Sequence, residues 1–311
     1  MIDTLTIGIR FALYVDLMLL FGLPLFGLYA LKGAERLHSN VLPLRALAIW
    51  LSATGVALSV WSIVAMTASM AGVALLEVDR ASVSMMIFET PMGKAWAVRM
   101  AALFVSLIIA IVMGRLKTPT WLVLVSMGTA GALASLAWTG HGAASEGAAG
   151  TRHLIADIVH LLAAGAWIGA LAALGALLFR PARAMSDEHI RLTHRALDGF
   201  SLIGTVIVAL IVVSGLLNSW MLVGPEHLLS MSSTLYGQLL IAKLVLFGGM
   251  LGLAAVNRFR LTPAFDHAIK GGGTLPAISR LRLSVICETS AALSILGLVA
   301  WLGTLEPPMS M

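Results

Sequence analysis

Charge is what this sequence has least of. Only 11% of its 311 residues are Asp, Glu, Lys or Arg, against 59% that are apolar. A soluble domain carries about a quarter charged residues, so this composition excludes a soluble globular fold and points to a polytopic membrane protein. Cysteine is nearly absent as well. Cys287 stands alone, which excludes an internal disulfide or a thiolate cluster within one chain. No glycine-rich loop ends in Lys-Ser or Lys-Thr, so an ATP-driven pump of the P-loop kind is excluded. His141-Gly142 with Ser145 and Glu146 matches no hydrolase arrangement, and no enzymatic activity is expected. The first residues, Met1-Ile2-Asp3, lack the basic stretch of a cleaved signal, so the first apolar run is expected to be a retained span.

What is present is a series of apolar runs at about 9–31, 43–71, 95–114, 119–139, 151–179, 196–223, 235–257 and 283–304. Each is long enough to cross a bilayer, which takes about 20 helical residues. The expected fold is therefore all-α, with eight transmembrane helices in a single membrane domain. The net charge of +5 would suggest nucleic acid in a soluble protein; here the basic residues lie between spans and report orientation instead. Loops after the odd-numbered spans hold 14 of the 20 Lys and Arg residues, from Lys32 and Arg36 to Arg280 and Arg282. By the positive-inside rule those loops are cytoplasmic and both termini periplasmic.

The fifth span carries the densest chemistry. His153, Asp157 and His160 are spaced by four and three residues, which puts them on one helical face. Counted from residue 151, Asp157 lies roughly 9 Å and His160 roughly 13 Å below the outer end. An ionisable group at the centre of a span costs roughly 2.5–3.5 kcal/mol on insertion scales, so such groups usually face a partner or a pathway. Two imidazoles and a carboxylate ligate Cu, Zn, Ni or Fe, or the carboxylate fixes a histidine tautomer. The bland alternative is a hydrogen-bonded polar core that tightens helix packing. Asp16 is a second buried carboxylate, in the first span, and reads as a ligand or a proton acceptor; its structural alternative is a salt bridge to Arg10 or Arg99. Outer-side methionines, Met70 and Met221 foremost, offer soft thioethers that select Cu(I), although methionine is also common core filler. His141 and His227 in outer loops are weaker candidates for metal capture. Glu288, near the inner end of the eighth span, is expected to pair with Arg280 or Arg282.

The chain also reads as two halves, 1–144 and 145–311. Thr90-Pro-Met-Gly93 with Arg99 recurs 144 residues later as Thr234-Leu-Tyr-Gly237 with Lys243, and the same offset carries Asp16 onto His160. Four spans per half makes these parallel repeats, with a site expected between them at mid-depth; the bland alternative is coincidence among apolar helices, but a real repeat puts Asp16 and His160 at equal depth, where they could face each other.

Several segments resemble the CopD family of copper resistance membrane proteins. These are Phe200-Ser-Leu-Ile-Gly, Val213-Ser-Gly-Leu, Thr234-Leu-Tyr-Gly-Gln-Leu-Leu-Ile-Ala-Lys-Leu and Ala255-Val-Asn-Arg-Phe-Arg-Leu-Thr-Pro. His160-Leu-Leu-Ala-Ala-Gly-Ala-Trp-Ile-Gly-Ala-Leu, Thr90-Pro-Met-Gly-Lys-Ala-Trp and Leu281-Arg-Leu-Ser-Val-Ile-Cys-Glu fit as well, with a core at about 151–303. The resemblance implies an eight-helix bacterial inner-membrane protein that moves copper inward from the periplasm. It also implies a separate periplasmic CopC-type copper-binding partner. Two other classes stand beside this reading: a non-transporting copper docking protein, and a b-type haem protein. The haem reading needs two facing histidines, and only His160 lies deep.

Overall fold

A computed structural model describes residues 2–115, 119–139, 147–181, 185–223, 231–271 and 273–305. Among these there is no strand, and eight helices are long and apolar enough to span a membrane. In chain order the helices are α1 (Ile2–Ala30), α2 (Leu44–Ala71), α3 (Arg80–Glu89), α4 (Pro91–Val112), α5 (Thr120–Ala134), α6 (Gly147–Leu178), α7 (Asp187–Val223), α8 (Leu235–Val256), α9 (Thr262–Gly271) and α10 (Thr274–Leu302). The short α3 lies inside what the sequence reads as a plain connection. It starts on Asp79, which accepts a hydrogen bond from the Ser82 amide and whose carboxyl is thereby held below its usual value. A π-helical turn, Asn257–Leu261, joins α8 to α9 without a break.

The centre of the molecule is the pair α1 and α6. A Cβ added at Gly169 or Gly22 would overlap the other's backbone, so the two helices touch main chain to main chain. Around α1 pack α2 and α5, with α4 bridging those two; against α6 lie α7 and α10, and α8 lies against α10. The arrangement differs in one place. The α2 helix packs along α4, whereas α7 and α8 scarcely touch, and cavities open between them.

One end of the bundle gathers arginines onto helix ends. Arg36 donates to the Leu28 and Leu31 carbonyls at the end of α1, and Arg45 to those of Ala110 and Ile111 at the end of α4. Arg282 donates to the Leu178 carbonyl at the end of α6, and Arg180 to Val41. Helix C-termini leave carbonyls unpaired and carry partial negative charge, so guanidinium groups are the natural caps. This basic face lies opposite the terminal face, where Arg10 donates to the Thr139 carbonyl at 3.4 Å and Thr304 lines the same cavity. The basic loops that the positive-inside rule groups together thus meet in space.

Candidate metal path and polar core

The ladder on α6 survives as a seam with α7. Asn218 donates to Asp157 at 3.3 Å, and His160 Nδ1 lies 3.0 Å from the Ser214 hydroxyl. Two antiparallel helices joined at 157–218 and 160–214 bring position 221 level with 153. Met221, half-buried, therefore stands one step above Asn218 on the same face of α7, at the height of the buried His153. Among the described residues no three His, Cys, Asp or Glu side chains converge on one point. The ladder is thus a file of separate stations, about 6 Å and about 4.5 Å apart along the axis, rather than one coordination sphere.

The tautomer of His160 follows from its neighbour. The Ser214 hydroxyl donates its single proton to the Leu210 carbonyl at 2.5 Å, so it can only accept from the imidazole. Nδ1 then carries the hydrogen, and Nε2 keeps the lone pair that a metal needs. His160 lines a cavity of about 380 Å³ walled by α6, α7, α8 and α10, together with Lys243, Gly215 and Trp167. Lys243 lies within electrostatic range of both Asp157 and His160. Trp167 also borders a second cavity of about 300 Å³ nearer the basic face, and its ring meets Phe200 edge-on at 6.1 Å.

Asp16 stands elsewhere. Its carboxylate lies against Gly55 of α2 and near Leu103 of α4, 4% exposed, and neither oxygen has a hydrogen-bond partner. No ion pair to Arg10 or Arg99 forms: Arg10 turns to Thr139, and Arg99 donates to the Ser59 hydroxyl at 3.1 Å. Asp16 and His160 therefore do not face each other. Because α1 and α6 meet through glycine backbones, each directs its polar residue away from the contact, Asp16 toward α2 and α4, His160 toward α7.

Of the methionine candidates, Met70 is 71% exposed at the end of α2 and lines, with Met66 and Tyr14, a terminal-face cavity of about 200 Å³. His141 and His227 lie outside the described residues. Glu288 is buried but pairs with neither Arg280 nor Arg282: it accepts from Asn257 at the π-helical turn, while Arg282 is held at the end of α6. The residues that the sequence reading passed over are Ser214 and Asn218. Their four-residue spacing in a nearly unbroken apolar run was the available signal.

Comparison with known proteins accounts for this architecture. Residues 1–151 match the family model for the copper resistance protein D-like N-terminal domain, and residues 194–302 match that for copper resistance protein D. A copper resistance protein D of Pseudomonas syringae pv. tomato is 47% identical over 307 residues, covering 99% of this chain and 98% of that protein. The chain belongs to the copper resistance protein D family. The chain also resembles the inner membrane protein YebZ of Escherichia coli (strain K12), 29% identical over 83% of this chain and 84% of the relative. The copper transport protein CutJ of Bacillus subtilis (strain 168) is 34% identical over 57% of this chain and 32% of its own length. No solved structure matches. Membership in the copper resistance family, with eight apolar helices, gives the protein a role in copper handling as a multi-pass membrane protein.

Proposed function

We propose that the protein carries copper ions across the bacterial inner membrane, from the periplasm to the cytoplasm, along the seam between α6 and α7. The observation that carries this reading is the His160–Ser214 contact, which fixes an imidazole lone pair beside a membrane-embedded cavity. The route runs past His153 and Met221, then Asp157, then His160. Imidazole and carboxylate suit Cu(II), and the thioether of Met221 suits Cu(I) at the entrance. Stations with few ligands each favour passage over storage. Lys243 works in the same sense, since a fixed ammonium weakens the hold on any cation resting between Asp157 and His160. The terminal face is periplasmic in this reading, and a CopC-type protein delivers copper there. Nothing in the chain hydrolyses ATP, so the membrane field drives entry by about 2.3 kcal/mol per charge per 100 mV.

Copper uptake into proteoliposomes tests the reading. Wild-type protein is expected to move copper, and His160→Ala and Asp157→Asn to reduce the rate at least ten-fold at equal incorporation. Copper binding without flux in the wild type would overturn transport and leave a docking protein.

A further inference from the structure

The α1, α2, α4 and α5 helices bury a column of polar groups that the copper path does not use. Tyr14 sits at the bottom of the terminal-face cavity and in electrostatic contact with Arg99, which is 1% exposed and bonded through Nε to Ser59. Next comes Asp16 against Gly55, four residues along α2 from Ser59. Ser52 and Ser106 follow, each seven residues, or about 10 Å, beyond Ser59 and Arg99 on α2 and α4. Ser106 lies against Gly128 of α5. Last is Trp121, whose indole borders a cavity of about 430 Å³ on the basic face.

Asp16 Oδ1 and Oδ2, the Ser52 and Ser106 hydroxyls, one Arg99 nitrogen and the Trp121 indole nitrogen are buried with no hydrogen-bond partner, a property shared with groups elsewhere such as Tyr29 and Trp167. Hydroxyls in apolar helices normally return to their own helix. Thr67, Thr129 and Ser135 do so here, donating to carbonyls at 2.7–2.8 Å. Ser52 and Ser106 do not. Buried polar atoms without protein partners are the places where ordered water belongs.

We propose that this column is a hydrated proton path across the membrane, with Asp16 as its proton-carrying group. A proton enters from the terminal-face cavity, converts the Asp16 carboxylate to the neutral acid, and leaves through water on Ser52 and Ser106 toward the basic face. Asp16 lies against Gly55 of α2 and near Leu103 of α4; the charged group that α4 buries is Arg99, one helical turn from Leu103, and its electrostatic neighbour is Tyr14. Among the described residues α2 buries Ser52 and Ser59 here and α5 buries Trp121, while Asp157 and His160 of α6 face α7. Protons and copper thus take separate routes on opposite sides of the α1–α6 pair. This rests on the transport reading above only for the coupling between the two flows.

The test uses the full chain in phospholipid vesicles loaded with a pH-sensitive dye. A potassium diffusion potential is imposed first without copper and then with added copper ions. Wild type is expected to change the lumenal pH in both, and copper flux to respond to an imposed pH gradient. Asp16→Asn is expected to lower proton movement at least ten-fold, Asp16→Glu to restore much of it, and Ser52→Ala with Ser106→Ala to slow it several-fold. The serine pair keeps the question answerable if the Asn variant does not insert. Proton movement equal to that of empty vesicles, or equal in Asp16→Asn and wild type, would overturn the path. Proton movement without any copper flux would overturn the transport reading and leave the path standing.

Discussion

Because the Ser214 hydroxyl gives its proton to Leu210, His160 is left with only one arrangement of its own hydrogen. The imidazole is thereby oriented and its Nε2 lone pair made available without any carboxylate partner at Nδ1. Removing that acceptor leaves the ring with the Ile211 carbonyl as its remaining partner and loosens its orientation. Supporting groups of this kind typically change metal affinity 10–100-fold. Ser214→Ala is therefore expected to weaken copper binding by about 10-fold in calorimetry while leaving the fold intact, and His160→Ala to weaken it further. Equal affinity in Ser214→Ala and wild type would mean that the histidine is positioned by packing alone. At this scale the sequence was partly legible. The spacing of His153, Asp157 and His160 identified the face of α6, and the structure places Asp157 and His160 against α7. Which neighbour each residue meets was not legible, because it depends on the register between helices that are remote in sequence.

The elements were legible where their cause is local. Apolar length specifies the eight spans, and Thr90 and Thr234 mark the starts of α4 and α8 by accepting from the Gly93 and Gly237 amides at 2.9 and 3.1 Å. An N-cap threonine is worth about 1 kcal/mol. Thr90→Ala and Thr234→Ala are each expected to lower stability by about that amount, read from detergent-solubilised melting curves, with no change in copper affinity. A loss several times larger in either would show that the threonine holds more than its helix start. The direction taken by Asp16 was not legible. A repeat offset carries one residue onto another in depth but does not set the azimuth, and here the glycine contact between α1 and α6 sets it. The π-helical turn was also hidden, since Asn257–Leu261 carries two arginines and reads as the end of the span, while the backbone stays helical into α9.

For the whole molecule, the arginine caps collect on one face, and the positive-inside rule predicts that this face is cytoplasmic. An alkaline phosphatase fused after the last helix is accordingly expected to be active, and a green fluorescent protein fused there dark. The reverse pattern would invert the bundle and with it the direction of copper entry. Between the two groups of helices lies the contact of Gly22 with Gly165 and Gly169. Interlocked side chains resist relative motion because ridges must leave their grooves before helices can turn past each other. The α1–α6 line meets backbone to backbone at Gly22 and Gly169, so neither position has room for even a methyl group, and Gly22→Ala or Gly169→Ala would wedge the two groups of helices apart.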